Sequence, residues 1–134
     1  MENKGRFNYD FTGKSVLVVE DTMMSFKLIA AVLGRVNASV IHAPNGKKAI
    51  ELCSGDQHFD VVVMDIQMPE INGIEATRKI KQLRPALPVI AATANTFDNE
   101  EAVCREAGCD SFITKPLQFV KLFELMKFHF DRQT

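Results

Sequence analysis

Val61-Val62-Val63-Met64 runs straight into Asp65, a short apolar stretch that ends on a carboxylate. Three other stretches have the same form. Ser15-Val16-Leu17-Val18-Val19 leads into Glu20-Asp21, Val89-Ile90-Ala91-Ala92 into Thr93, and Ser111-Phe112-Ile113-Thr114 into Lys115. Continuous apolar runs of this length, separated by longer helical segments, read as parallel strands buried on both faces. In an open α/β sheet the ligand site lies beyond the carboxyl ends of the strands. Three acids, a hydroxyl and an amine are therefore expected to converge on one sheet edge. Carboxylates alone would repel one another there. With a divalent cation, a lysine and a hydroxyl they make a site for phosphoryl transfer.

Working outward, the segments between these runs read as helices. Asp21 and Thr22 can cap a first helix reaching about Leu33, with Leu28, Ile29, Val32 and Leu33 facing the core. Ser39 to Ala43 is a further strand with no reactive residue at its end, which suits an edge position. Lys47 to Cys53 reads as a helix ended by Gly55. Pro69 to Gly73 reads as a rigid loop opening a helix to about Leu83, with Ile74, Ala76, Ile80 and Leu83 inward. Thr96 to Ala107 is a short acidic helix. A last helix puts Phe119, Leu122, Phe123, Met126 and Phe130 on one face. Five βα units with right-handed crossovers predict a doubly wound α/β sandwich, a five-stranded parallel sheet of order 2-1-3-4-5. Residues 1–14 are a polar lead-in, expected to be loosely ordered, before one domain at 15–134.

Composition narrows the function. With 134 residues, 16 Lys+Arg against 17 Asp+Glu and a formal net charge of −1, nothing points to direct nucleic-acid binding. No apolar stretch approaches the ~20 residues of a membrane span, and no secretory leader precedes the first strand. The expected location is the cytoplasm, including the cytoplasmic end of a membrane-bound sensor, without membrane contact by this domain. Cys53, Cys104 and Cys109 lack CxxC spacing and read as reduced packing thiols. His42, His58 and His129 read as surface or strand-edge residues. Asp60, Asp98 and Asp110 read as structural.

The stretch around Asp65, Val-Val-Met-Asp-Ile-Gln-Met-Pro-Glu-Ile-Asn-Gly, resembles the phosphorylation loop of response-regulator receiver domains. The resemblance extends to Glu20-Asp21, Thr93-Ala94 and Lys115-Pro116, and covers residues 15 to about 130. Singly, each of these residues has an ordinary structural reading as a cap, a strand end or a surface charge. Their ordered co-occurrence at successive strand ends carries the resemblance. It implies a flavodoxin-like fold and Asp65 as phosphoacceptor. It further implies Mg²⁺ (or Mn²⁺) held by Asp21 and Asp65 directly, by Glu20 through water and by the backbone carbonyl of Gln67. Lys115 would contact a phosphoryl oxygen. Thr93 would bond the phosphoryl group once formed, and Phe112 would be the switch aromatic that follows it. Ala94 would leave access to the aspartate. Gln67 and Asn95 occupy positions that tune aspartyl-phosphate lifetime in the family and match neither an acid nor a lysine here.

The implied partner is a histidine kinase or a histidine phosphotransfer domain, and the implied oligomeric state is a monomer or weak dimer. The chain is expected not to be an enzyme beyond its own phosphorylation and dephosphorylation. The lead-in Tyr9 to Lys14, with Gly-Cys-Asp-Ser-Phe-Ile-Thr-Lys-Pro, looks like the C-terminal receiver of a hybrid histidine kinase. A stand-alone response regulator is the alternative. Met23, Met24 and Phe26 exceed what the first helix needs for its core face and are expected to form an apolar docking patch for a four-helix phosphotransfer partner. Two other classes fit less well. An Asp-nucleophile phosphatase of the haloacid dehalogenase type wants a second Asp two residues on, where Gln67 stands. A flavin carrier wants a hydroxyl- and glycine-rich loop after the first strand, where Glu20-Asp21 would repel the flavin phosphate.

Overall fold

A computed structural model of the chain describes residues 9–66, 72–93 and 98–133, with backbone only at 98–100. The strands are β1 (Ser15–Val19), β2 (Ser39–Ala43), β3 (Val61–Asp65), β4 (Val89–Thr93) and β5 (Ser111–Thr114). The helices are α1 (Met23–Gly34), α2 (Gly46–Cys53), α3 (Gly73–Leu83), α4 (Asp98–Ala107) and α5 (Phe119–Asp131). The strands form one parallel sheet in the order β2-β1-β3-β4-β5, as the five-unit reading requires.

The apolar runs are continuous because both sheet faces are covered. Leu17, Val19, Val62, Met64, Val89 and Ala91 point to one face and pack with Ala49, Ala76, Ile80 and Cys104 of α2, α3 and α4. Val16, Val18, Val61, Val63, Ile90 and Ala92 point to the other, against Ile29 and Leu33 of α1 and Leu122, Phe123 and Met126 of α5. The two sets alternate along every central strand, which is the period-2 geometry of a pleated ribbon. Asn45 and Asn72 open α2 and α3 by accepting the Lys48 and Glu75 amides, at 2.7 and 2.9 Å.

Several expectations need correction. Leu28 faces outward, 58% exposed, and Leu83 is 44% exposed while Thr77 takes its place inside. Thr22 stands at the N-cap of α1, but its side chain makes no capping bond. His129 is neither surface nor edge: it is buried on α5, hydrogen-bonded to Ser111 Oγ at 2.8 Å, and burial lowers its pKa below the ordinary 6.5. The described part of the lead-in is packed, not loose. Phe11 is buried, its amide donates to Val36 O at 2.6 Å, and its ring meets Phe130 edge-on at 4.9 Å.

The structural readings of two acids hold. Asp60 is buried, accepts the Ser15 amide at 2.7 Å and pairs with His58 at 2.8 Å. Asp110 accepts both Lys81 Nζ (2.9 Å) and the Val89 amide (2.8 Å). The three cysteines are buried thiols outside any disulfide, and burial pushes the Cys109 thiol up to about 12, so it stays protonated and inert.

Candidate functional site

The register at the carboxyl edge brings the predicted residues together. Val19 pairs with Met64, so Glu20 leaves β1 at the level where Asp65 ends β3. Asp65 pairs with Ala92, which puts Thr93 one residue further along β4. Thr93 pairs with Thr114, and its carbonyl accepts the Lys115 amide at 2.7 Å. Five reactive residues from four consecutive strands of the sheet therefore share one edge.

Their side chains converge. One carboxylate oxygen from each of Glu20, Asp21 and Asp65 lies within 4.8 Å of the others. Lys115 Nζ reaches in from the start of the β5–α5 connection, 3.2 Å from Asp65 Oδ1 and 3.8 Å from Glu20 Oε1. Glu20 and Asp65 are buried and Asp21 is exposed, so the pocket opens to solvent on the Asp21 side. Thr93 is fully buried. Phe112 pairs with Ala91 and packs, half-buried, on the sheet face covered by α2, α3 and α4. By the alternation along β4, Thr93 turns to that same face. Gln67, Ala94 and Asn95 lie outside the described residues, as do residues 69–71 of the loop after β3.

The position of Asp65 depends on Gly73, which in the sequence reads only as the end of a loop. A Cβ on Gly73 would overlap the carbonyl oxygen of Asp65 and stand 2.6 Å from Ile66 Cα. Gly73 thus lets the first turn of α3 sit directly against the backbone that carries Asp65.

Ionised, three carboxylates against one ammonium leave an excess of two negative charges in a half-buried pocket. Burial raises the Glu20 carboxyl above its ordinary 4.5, and the Asp65 charge raises it further. Lys115 and the Thr22 amide, 3.3 Å from Glu20 Oε2, pull it back. The donor set is all oxygen, with no thiolate or imidazole among its side chains, which fits a hard divalent cation such as Mg²⁺ and disfavours a soft one. A nucleophilic carboxylate, a flanking lysine and room for a hard cation are the parts that phosphoryl transfer to an aspartate requires.

The sequence profile of the response regulator receiver domain matches residues 16–127. The chain belongs to this family. The receiver is 35% identical over 117 residues to the polar-differentiation response regulator DivK of Brucella ovis, spanning 85% of this chain and 94% of that protein. It superposes on the receiver domain of sensor histidine kinase PA1611 from Pseudomonas aeruginosa PAO1 with a TM-score of 0.82 at 27% identity, covering 90% of this chain and 99% of that one. That crystal structure has a magnesium ion coordinated in its active site cleft. The chemotaxis protein CheY4 of Vibrio cholerae shares the fold, with a TM-score of 0.79 at 20% identity over 86% of this receiver and 97% of that chain.

Beside the acidic pocket the receiver has an apolar cleft of about 220 Å³, lined by Leu28 and Ile29 of α1 and by Pro116, Leu117 and Phe119. Met23 and Met24 stand exposed on the same helix, at 54% and 80%. Phe26 does not join them: it is half-buried, with its ring stacked on His42 at 3.9 Å. Leu28, assigned inward from the sequence, is the residue that takes its place on the open face. Among the described residues no helix is long and apolar enough to cross a membrane.

Proposed function

We propose that this receiver accepts a phosphoryl group on Asp65 from a phosphohistidine and passes on the change through Thr93 and Phe112. The observation that carries the reading is Lys115 Nζ lying 3.2 Å from the buried Asp65 carboxylate, in a pocket shared by Glu20 and Asp21. An Asp65 oxygen attacks phosphorus, the N–P bond breaks, and the electron pair leaves with the imidazole. The product is a mixed anhydride of carboxylate and phosphate. Asp21 and Asp65, with Glu20 and the Gln67 carbonyl, would hold Mg²⁺ or Mn²⁺. A bound cation offsets charge that the acids cannot tolerate alone as the phosphoryl group arrives. Lys115 supplies a point charge to a phosphoryl oxygen. The Thr93 hydroxyl can bond the phosphoryl group only once that group is present, and Phe112, on the same sheet face, follows it toward α4.

The partner in this reading is a histidine kinase or a histidine phosphotransfer domain that presents its histidine over the pocket rim. Met23, Met24 and Leu28 on α1, with Pro116 and Leu117 across the cleft, offer it an apolar seat next to Asp65. Two settings for the domain rest on separate observations. The match to DivK over 94% of that protein's length supports a stand-alone regulator. Tyr9 and Phe11 of the lead-in, packed on the core, and the likeness to the PA1611 receiver support a place in a hybrid kinase.

A phosphotransfer domain labelled on histidine with ³²P tests the reading. Label should move to this chain in Mg²⁺ and stay on the donor in EDTA. Met24→Glu should slow that transfer about tenfold while leaving phosphorylation by acetyl phosphate unchanged, because only the protein donor needs the seat. Transfer undiminished in EDTA would remove the metal from the account, and equal loss with both donors would remove the docking face.

A further inference from the structure

We infer that His42, on the edge strand β2, is a positioning residue for the Glu20–Asp21 acid pair. The inference rests on the proposed metal site. His42 Nε2 lies 2.9 Å from the backbone oxygen of Glu20. A carbonyl oxygen only accepts, so Nε2 carries the proton and donates it. That oxygen belongs to the peptide plane joining Glu20 to Asp21. Because the plane is rigid, holding its carbonyl fixes the direction in which both acids leave the strand.

The register shows why the plane needs such a tie. The β1–β3 ladder ends at Val19 and Met64, and the β1–β2 pairing ends at Val19 and Ala43. Past that point the Glu20 amide still donates to Ala43 O at 3.1 Å. The Glu20 carbonyl is taken by a side chain. The imidazole is itself held, lying face to face on Phe26 of α1 with ring centroids 3.9 Å apart and planes 12° from parallel. Phe26, His42 and the Glu20 carbonyl thus form one chain of contacts from helix α1 through the edge strand to the acidic pocket. Loss of a group that orients metal ligands from behind typically costs roughly 10- to 100-fold in metal affinity.

Magnesium chloride titrated into the ¹⁵N-labelled protein, followed by the amide shifts of Glu20 and Lys115, tests this. His42→Leu removes the donor and should weaken Mg²⁺ about tenfold. His42→Gln, whose amide nitrogen can take the place of Nε2, should stay within about threefold of the parent. Phe26→Leu keeps the donor but frees the ring, and should fall between the two. It carries the test alone should His42→Leu fail to fold. Parent-like affinity in both His42→Leu and Phe26→Leu would overturn the inference, as would equal loss in His42→Gln and His42→Leu. A parent that does not respond to Mg²⁺ at all would instead overturn the metal site itself.

Discussion

At the scale of single residues, Glu20 bears the cost of the site. Its folded-state pKa is raised, by burial first and then by the Asp65 charge. From the ordinary 4.5 up to that raised value, the folded protein therefore binds more protons than the unfolded chain, and stability falls as pH rises through the window. Glu20→Gln should flatten this fall and raise the metal-free melting temperature at pH 7, by an amount worth on the order of 1 kcal/mol, while reducing stabilisation by Mg²⁺. Calorimetry from pH 4 to 8, with and without Mg²⁺, measures both effects. An unchanged slope in the variant would show that Glu20 is not the strained acid. Gly73→Ala should act on the acceptor from the other side. Its methyl group must displace the Asp65–Ile66 backbone, so it should lower the rate of acetyl phosphate labelling at least about tenfold. A parent-like rate would mean that the α3 start yields without moving the acceptor. Glu20, Asp21, Asp65, Thr93 and Lys115 were legible in the sequence because each follows an apolar run, and strand ends are where a parallel sheet exposes side chains. The His42–Glu20 tie was not legible. It depends on which face of an edge strand a lone histidine occupies, and half-buried edge strands have no continuous apolar run to fix that.

At the scale of elements, the helices show where pattern stops deciding orientation. α5 was readable because its apolar residues fall on one face, and Leu122, Phe123, Met126 and Phe130 are all buried. α1 is apolar nearly all round, from Met23 to Leu33, so its period cannot choose between Phe26 and Leu28 as the inward residue. Packing chose: Phe26 found the His42 ring, and Leu28 was left over the cleft. The described end of the lead-in, residues 9–14, was misread for the opposite reason. Tyr9 and Phe11 stand isolated in a polar stretch, and the completed α5 surface gives their rings partners in Phe123 and Phe130. Lys14 Nζ adds a cation over the Phe130 ring at 5.2 Å. Phe11→Ala should therefore cost about 3 kcal/mol in urea unfolding, as for a core aromatic. A loss below about 0.5 kcal/mol would return the segment to the status of a surface tail.

At the scale of the whole molecule, the two sheet faces are equipped differently. One sheet face, with α1 and α5, carries the packed lead-in and the apolar cleft. The other, with α2, α3 and α4, carries Phe112 and the buried side of Thr93. The carboxyl edge between them holds the acids and Lys115. Under the proposed function a donor protein would approach from the α1 side while the phosphorylation-dependent change would leave on the α4 side, so input and output would not compete for surface. Everything rests on Asp65 being the acceptor. Intact mass spectrometry after incubation with acetyl phosphate and Mg²⁺ tests that most directly. The parent should gain one phosphoryl group and Asp65→Asn none. Equal labelling of the two proteins would contradict it.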